Sequence, residues 1–391
     1  MTATSDLTVA IVAFNAADTI GAAIDSVTVA GAWPILLVDD QSTDDTVARA
    51  RHAAGAQLSV VTTEGPRCVG NARATALKAL ETPYALWLDA DDLLVSDRPH
   101  RVRAALVAGA DLVFDGVYLI DADGKFLNTL AIPDFMQAPG RLWRQVERNW
   151  LHGLCGGFRA AFVRQIGYAT DMTTGEDYLF SLQALTAGAR VTLLDSFGIY
   201  YRHSSGSLSR NRANALANIR LAHDRLDWSA ALDRMQADGL PAHEIDYIRA
   251  VRGVYQGDTV AVLQAARSLM GGAAMVPPYG RSAAWMGRFL AGTALLADGK
   301  PDQACAWLEL AYDEAASPDV ANNLAVARAR TGAQTAAGDL LDEALAELPG
   351  YVDAAANRDW LGQTGEAGRT GAPSITLLPL RTVPYRDRYG R

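Results

Sequence analysis

Four short, nearly continuous apolar runs, Leu7 to Phe14, Pro34 to Val38, Leu58 to Val61 and Tyr84 to Leu88, each give way to a segment with helical spacing. A strand that is apolar along its whole length must be covered on both faces, and crossover helices between parallel strands provide that cover. The first part of the chain therefore reads as βαβ units around a buried, largely parallel sheet. Helix starts fit the alternation: Asp18 precedes the stripe Ile20, Ala23, Ile24, Val27, and Ser42 or Thr43 precedes Val47, all types suited to N-caps. Asp111 to Ile120 supplies a fifth strand, and Asp121-Ala122-Asp123-Gly124 reads as a turn into another near Phe126 to Ile132. A helix is expected from Asp177 to about Ala187, then strands at Val191 to Leu194 and Phe197 to Arg202.

After about residue 230 the texture changes to Ala- and Leu-rich helical patterns. Two segments repeat: Trp285 to Pro318, with Gly299 at its turn, and Asn322 to Pro349, with Gly332 at the same place. That period is close to the roughly 34 residues of tetratricopeptide helical hairpins. A degenerate earlier copy runs from Ile245 through Gly257 to Met270, and a plain helical bundle is the competing reading. Met270 to Arg281, with Gly271-Gly272 and Pro277-Pro278, reads as an irregular connection. Beyond Gly365 to Pro373, an extended apolar segment, Ser374 to Pro384, is expected to dock on its own chain or on a second copy. The expected domains are 1–230, an α/β unit, 231–368, an all-α helical-repeat unit, and 369–391, an extended tail.

The net charge of -9 over 391 residues argues against an extended nucleic-acid surface, because clustered Lys and Arg carry phosphate binding. Cys68, Cys155 and Cys305 lie far apart with no Cys-x-x-Cys spacing, so neither a disulfide framework nor a structural zinc site is indicated. No run approaches the roughly 18 apolar residues needed to span a bilayer, and the N-terminus lacks the basic start of a signal peptide. The expectation is a cytoplasmic protein, with any membrane work done peripherally from the inner face.

Chemistry concentrates in Leu86-Trp87-Leu88-Asp89-Ala90-Asp91-Asp92, an apolar strand ending in three carboxylates within four positions. Such a cluster is costly without a cation, and Mg²⁺ or Mn²⁺, with hard oxygen ligands and substrate phosphates in the shell, is the natural partner. In an open α/β sheet it would sit at the carboxyl ends of the strands, where ligands gather. Five further segments accompany it: Val9 to Asn15; Val38-Asp39-Asp40-Gln41-Ser42-Thr43-Asp44-Asp45-Thr46; Gly70-Asn71-Ala72-Arg73 at a helix start; Gly175-Glu176-Asp177-Tyr178; and Tyr201-Arg202-His203-Ser204-Ser205-Gly206-Ser207-Leu208-Ser209. Asp121 and Asp123, followed by Gly124-Lys125, read as a hairpin turn and stand out of order.

In order and spacing, these segments over the first 210 residues resemble family 2 glycosyltransferases of the GT-A fold, a Rossmann-like nucleotide-diphospho-sugar transferase architecture. The resemblance implies a metal-dependent inverting transfer of a sugar from a nucleotide-diphospho-sugar of the UDP type to an acceptor hydroxyl of a glycan, lipid-linked or protein acceptor in surface polysaccharide or glycoprotein synthesis. By the same resemblance, Phe14 and Asn15 lie at the nucleotide base, and Asp40 accepts a hydrogen bond from a uracil-type imide. Arg73 contacts the diphosphate or nucleotide, Asp89 lies toward the ribose, and Asp91 holds Mn²⁺ or Mg²⁺. Asp177 is the general base with Glu176 beside it, His203 binds metal or diphosphate, and the Ser-rich loop closes over the donor. Cys155-Gly156-Gly157-Phe158 falls on the acceptor side, where paired glycines permit close backbone approach. The helical unit serves a protein partner or a homodimer. Two alternatives stand beside this reading: a non-catalytic nucleotide-sugar-binding scaffold, against which Asp91 and Asp177 speak, and a nucleotidyltransferase, which lacks a Gly-rich loop with Lys after its first strand.

Overall fold

The computed structural model describes residues 5–151, 156–203, 212–363 and 371–379, and the chain divides into two compact units, Met1–Arg234 and Met235–Arg391. In the first unit β1 (Leu7–Ala13), α1 (Ile20–Ala30), β2 (Ile35–Asp39), α2 (Thr46–Ala54), β3 (Leu58–Thr62), α3 (Val69–Ala79) and β4 (Tyr84–Asp89) alternate as the apolar runs require. There follow β5 (Leu93–Leu94), α4 (Arg98–Val107), β6 (Leu112–Ile120), β7 (Phe126–Leu130), β8 (Gly157–Arg159), α5 (Ala160–Ile166), α6 (Glu176–Thr186), β9 (Val191–Arg202), α7 (Arg212–Arg225) and α8 (Trp228–Ala237).

One mixed sheet runs in the order β3-β2-β1-β4-β8-β6-β9-β5, with β7 paired to β6. Strands β3, β2, β1 and β4 are parallel neighbours, and β8 enters antiparallel between β4 and β6. Because β1 lies between β2 and β4, the chain departs from β1 in both directions, leaving a crevice at the carboxyl ends of these three strands. Phe14, Asp40 and Asp89 stand at those three ends.

Several local expectations change. Asp18 caps nothing: Thr19 holds the N-cap position of α1, with no side-chain cap bond. Ser42 and Thr43 bond to Asn15 instead of opening α2, and Asp44 accepts from the Thr46 N–H at 3.0 Å. The two strands expected after residue 190 are one long strand, β9, whose pairing with β6 slips between Phe114 and Val117. A buried ion pair explains the irregularity. Arg98 Nη2 lies 3.0 Å from Asp115 Oδ1, both side chains fully buried, and a Cβ on Gly198 would fall 2.0 Å from Asp115 Oδ2. The backbone of β9 must bend around that pair, and only a glycine lets it pass. Gly156 and Gly157 are likewise core devices: Cβ atoms there would meet the Phe114 ring and, at 2.1 Å, Val102. Their close approach serves packing between β4 and β6, while Cys155 lies outside the described residues.

The second unit contains α9 (Ala242–Gln256), α10 (Thr259–Leu269), β10 (Met275–Val276), β11 (Arg281–Ser282), α11 (Ala283–Ala297), α12 (Pro301–Glu314), α13 (Pro318–Arg330), α14 (Gln334–Glu347) and α15 (Val352–Gly362). The connection at 270–281 is not irregular throughout, since β10 and β11 pair as an antiparallel ribbon. From α9 onward each helix packs on the next, and the odd-numbered helices α9, α11, α13 and α15 also pack in series. Gly257, Gly299 and Gly332 take left-handed turns at 70°, 72° and 92° in φ, which only glycine adopts without strain. Residues 374–379 lie against this unit, with Thr376 and Leu378 buried. Arg381, Arg386, Arg388 and Arg391 fall outside the described residues.

Removing one member of a buried ion pair leaves the other charge unpaired, at about 3–5 kcal/mol. Asp115→Ala and Gly198→Ala should each destabilise the first unit severely in urea unfolding followed by tryptophan fluorescence. A loss below about 1 kcal/mol for Asp115→Ala would mean the pair does not hold β9.

Candidate active site

The end of β1 turns on Asn15, whose φ of 46° is left-handed, and the turn after β2 places Gln41 at 64°. Bonds to neighbouring loops hold both residues. The Asn15 N–H donates to Ser42 Oγ at 3.0 Å, the Thr43 N–H donates to Asn15 Oδ1 at 2.8 Å, and Gln41 Nε2 donates to the Gly65 carbonyl at 3.0 Å. Asn15 is thus committed to fixing one loop against the other. Asp40 is buried and accepts from Thr63 Oγ1 at 2.7 Å. Burial raises its pKa, partly offset by the Thr63 bond and the Arg67 charge. Phe14 is exposed, and the Arg67 guanidinium carbon lies 4.1 Å from its ring centroid, a cation–π geometry. Arg67 had no place in the sequence argument, since a Gly-Pro-Arg loop carries no motif.

The strand end of β4 presents Asp89, Asp91 and Asp92, with one carboxylate oxygen from each within 4.8 Å of the others. Their positions differ sharply. Asp91 is exposed, whereas Asp92 is buried and accepts the Arg202 N–H at 2.7 Å. Arg202 Nε also donates to the Asp91 carbonyl at 2.9 Å, so β9 clamps the cluster from its far side. Hard oxygen donors this close suit a small divalent cation, with Asp91 the accessible ligand and Asp92 already engaged by protein. His203 is not part of this three-carboxylate group; its backbone N–H donates to the Ile120 carbonyl at 2.7 Å, and its neighbour Arg202 contacts the cluster through its backbone N–H and Nε. Residues 204–211, which include the Ser-rich segment expected to close over the donor, lie outside the described residues. Asp121 accepts from the Asp123 and Lys125 N–H groups as a hairpin turn should.

Arg73 is the surprise. Instead of offering a free guanidinium to a ligand, it is 1 % exposed, with Nε 3.1 Å from Glu176 Oε1 and Nη2 3.7 Å from Asp89 Oδ1. The Nε approach lacks hydrogen-bond alignment, so the contact is chiefly charge on charge. Trp87 and Tyr168 cover the guanidinium at 5.0 and 5.8 Å. Gly70 permits the placement, because a Cβ there would lie 1.9 Å from the Ala169 carbonyl. The start of α3 can therefore press on the loop that leads to α6. Arg73 joins the strand-end cluster to Glu176-Asp177, which are about 85 residues apart in sequence.

Glu176 is buried in the first turn of α6, and Asp177 beside it is half-buried, accepting from Asn149 Nδ2 at 3.0 Å. Asn149 is itself fixed by Gln145, whose Nε2 donates to Asn149 Oδ1 at 2.6 Å and to Ser181 Oγ at 3.1 Å. Neither Gln145 nor Asn149 belongs to a recognisable motif; both sit in or after a 3₁₀ segment that the apolar pattern does not mark. Burial pushes Asp89 up to about 7, against the pull of Arg73 and helped by Asp91 and Asp177. Burial likewise pushes Glu176 up to about 7, again opposed by Arg73. Asp92 is raised well above the ordinary carboxylate range by burial and by the neighbouring charges of Asp89 and Asp91.

Residues 8–167 match the model of glycosyl transferase family 2. The succinoglycan biosynthesis protein ExoO of Rhizobium meliloti (strain 1021) is 29% identical over 276 residues, 66% of this chain and 76% of that protein. ExoU of the same organism, also a succinoglycan biosynthesis protein, is 32% identical over 212 residues, 50% of this chain and 61% of ExoU, under two thirds of its length. Among solved structures, S. aureus TarS 1–349 in complex with UDP-GlcNAc superposes with a TM-score of 0.52 at 16% identity, covering 83% of this chain and 92% of that one. That likeness bears on the fold, a Rossmann-like GT-A domain followed by helices.

The raised carboxyls give the metal-free chain a signature in pH. An unfolded Asp or Glu releases its proton near 4, whereas Asp89 and Glu176 keep theirs to about 7. Between those values the folded state binds more protons, so their contribution to stability is complete below about pH 4 and is lost as pH rises to 7. Asp89→Asn removes one such proton site. Urea unfolding at pH 4.5, 6 and 7.5 should show the variant gaining on the wild type as pH rises; a constant difference would refute the shift.

Proposed function

We propose that this glycosyltransferase, which carries a family 2 domain within residues 8–167, moves a sugar from a UDP-type nucleotide-sugar to an acceptor hydroxyl with inversion, as a step of polysaccharide synthesis. The observation that carries the reading is the Arg73 bridge, which ties the Asp89–Asp92 cluster to Glu176-Asp177. A donor-holding group and a proton acceptor are thereby parts of one site. Phe14, Arg67 and Asp40 line the crevice beyond β1 and β2, where a nucleotide base and its imide N–H fit an aromatic face, a cation and a carboxylate. Asp89 lies toward the ribose, and Asp91 holds Mn²⁺ or Mg²⁺. When bound, that cation supplies Lewis-acid support for the departing diphosphate.

The chain's own residues do the rest. Arg73 acts from beneath as a positioning residue, holding Asp89 and Glu176 apart from one another's charge. Asn149, with Gln145 behind it, aims Asp177 so that one carboxylate oxygen accepts from the amide and the other is directed to the acceptor hydroxyl. The hydroxyl oxygen bonds to the anomeric carbon, the bond to the diphosphate breaks, and Asp177 takes the proton. His203 is placed at the diphosphate side, and the helical unit, read as tetratricopeptide-like, at a protein or glycan partner. Among the described residues no helix is long and apolar enough to cross a membrane. Work on a lipid-linked acceptor would therefore engage the described chain peripherally.

Donor hydrolysis with a set of UDP-, GDP- and dTDP-sugars, with Mn²⁺ or Mg²⁺, tests this directly. Turnover of a UDP-sugar that stops on chelation is expected. Cation-independent turnover would overturn the metal assignment, and preference for a GDP-sugar the nucleotide. Asp177→Asn should leave donor affinity nearly intact and lower kcat by about 10² or more. Near-normal kcat would remove Asp177 as the base. Asp91→Ala should raise the cation concentration needed for half-maximal activity, whereas unchanged dependence would reassign the site.

A further inference from the structure

The inner helices of the second unit carry a row of buried polar side chains that the proposed chemistry does not use: Thr293 on α11, Asn322 and Asn323 on α13, Tyr351 ahead of α15, and Asp353 and Asn357 on α15. Buried amides and carboxylates are tolerated only when their bonding groups are met. Here an extended stretch of chain meets them. Asn323 makes a paired contact with the backbone of Thr376, its Oδ1 accepting the Thr376 N–H at 2.9 Å and its Nδ2 donating to the Thr376 carbonyl at 2.9 Å. Asn357 does the same at Ser374, with 2.6 and 2.7 Å.

The two asparagines are 34 residues apart, the spacing of one helical repeat, and they grip residues two apart in the extended segment. Equivalent places on successive inner helices thus read alternate peptide groups, as a neighbouring strand would. The hydroxyls are read as well: Asp353 accepts from Ser374 Oγ at 2.5 Å and from Thr376 Oγ1 at 3.0 Å, and Tyr351 Oη also bonds Thr376 Oγ1. Leu378 is buried just beyond. The seat therefore specifies an extended Ser-x-Thr-x-Leu segment, mostly through its backbone.

We propose that this row is a peptide-binding site, that residues 374–378 fill it as a resident ligand, and that an extended protein segment of the Ser-x-Thr-x-Leu kind takes their place from another chain. The lining favours exchange. A seat built of apolar side chains would expose a greasy cleft once emptied, but amides, a carboxylate and a phenol are readily met by water. The occupant lies after α15, the last helix among the described residues, so its departure leaves the contacts of α9 to α15 with one another in place.

The test uses the full chain and a fluorescein-labelled peptide of residues 371–379. In Ser374→Pro/Thr376→Pro the resident segment loses both N–H groups that Asn357 and Asn323 accept, so the seat opens while the helices are untouched. Fluorescence anisotropy should show saturable 1:1 binding to this variant, and binding at least about tenfold weaker to the wild type, where the tethered segment competes. A peptide N-methylated at Thr376 should not bind the variant. The proposal fails if the folded variant binds no peptide, if the wild type binds equally well, or if the N-methylated peptide binds as tightly. Should the proline chain not fold by circular dichroism, Thr376→Val, which removes only the hydroxyl, carries the same test. A variant that dimerises on its own, with the peptide dispersing the dimers, would make the incoming segment that of a second copy and support the site.

Discussion

A guanidinium sealed from water beneath two acidic motifs governs this molecule. Arg73 has carboxylates on both sides and aromatic rings around it, and a charge so enclosed is stable only while those carboxylates remain. The dependence runs the other way as well. Five carboxyl groups, Asp89, Asp91, Asp92, Glu176 and Asp177, come from strand, turn and helix to one place, and among the described residues Arg73 and the backbone and side chain of Arg202 offset them. Burial first, and then the charges of neighbouring carboxylates, raise Asp89 and Glu176.

Among the described residues, two non-glycine residues take left-handed backbone, Asn15 and Gln41, and both lie just past strand ends at the crevice. Such a conformation costs about 1–2 kcal/mol at an ordinary residue, less at Asn. Here side-chain bonds between neighbouring loops hold it in place. The strain is confined to the ends of β1 and β2, where Phe14 and Asp40 stand at the crevice.

The sheet, the helical unit and the acidic motifs were legible because each rests on a local pattern: continuous apolar runs, a recurring glycine turn, carboxylates bunched in a few positions. Asp89, Asp91 and Asp92 do come together, and Arg73 does lie close to Asp89 and Glu176. What the pattern could not reveal was direction. Arg73 at a helix start looks like an anion hook until Trp87 and Tyr168 close over it, and that closure depends on a residue nearly a hundred positions away. Arg67, Gln145 and Asn149 were invisible for the same reason, since each acts through a partner distant in sequence or through an unmarked turn. Arg202 belongs with them, because it meets the acidic cluster through its backbone N–H and its Nε at the end of β9, next to the His203 that the motif singled out.

The slip in β9 has a metric side. Between the pairs Leu112–Val191 and Ile120–Arg202, β6 advances eight residues while β9 advances eleven. The surplus is odd, so beyond it every side chain of β9 has exchanged faces relative to an unbroken ladder. The stretch around Gly198 is in effect a length standard: it sets how far the strand travels and which way Arg202 points when it arrives at Asp92. Insertions or deletions there would detune the acidic cluster from some distance while leaving each of its carboxylates in the sequence.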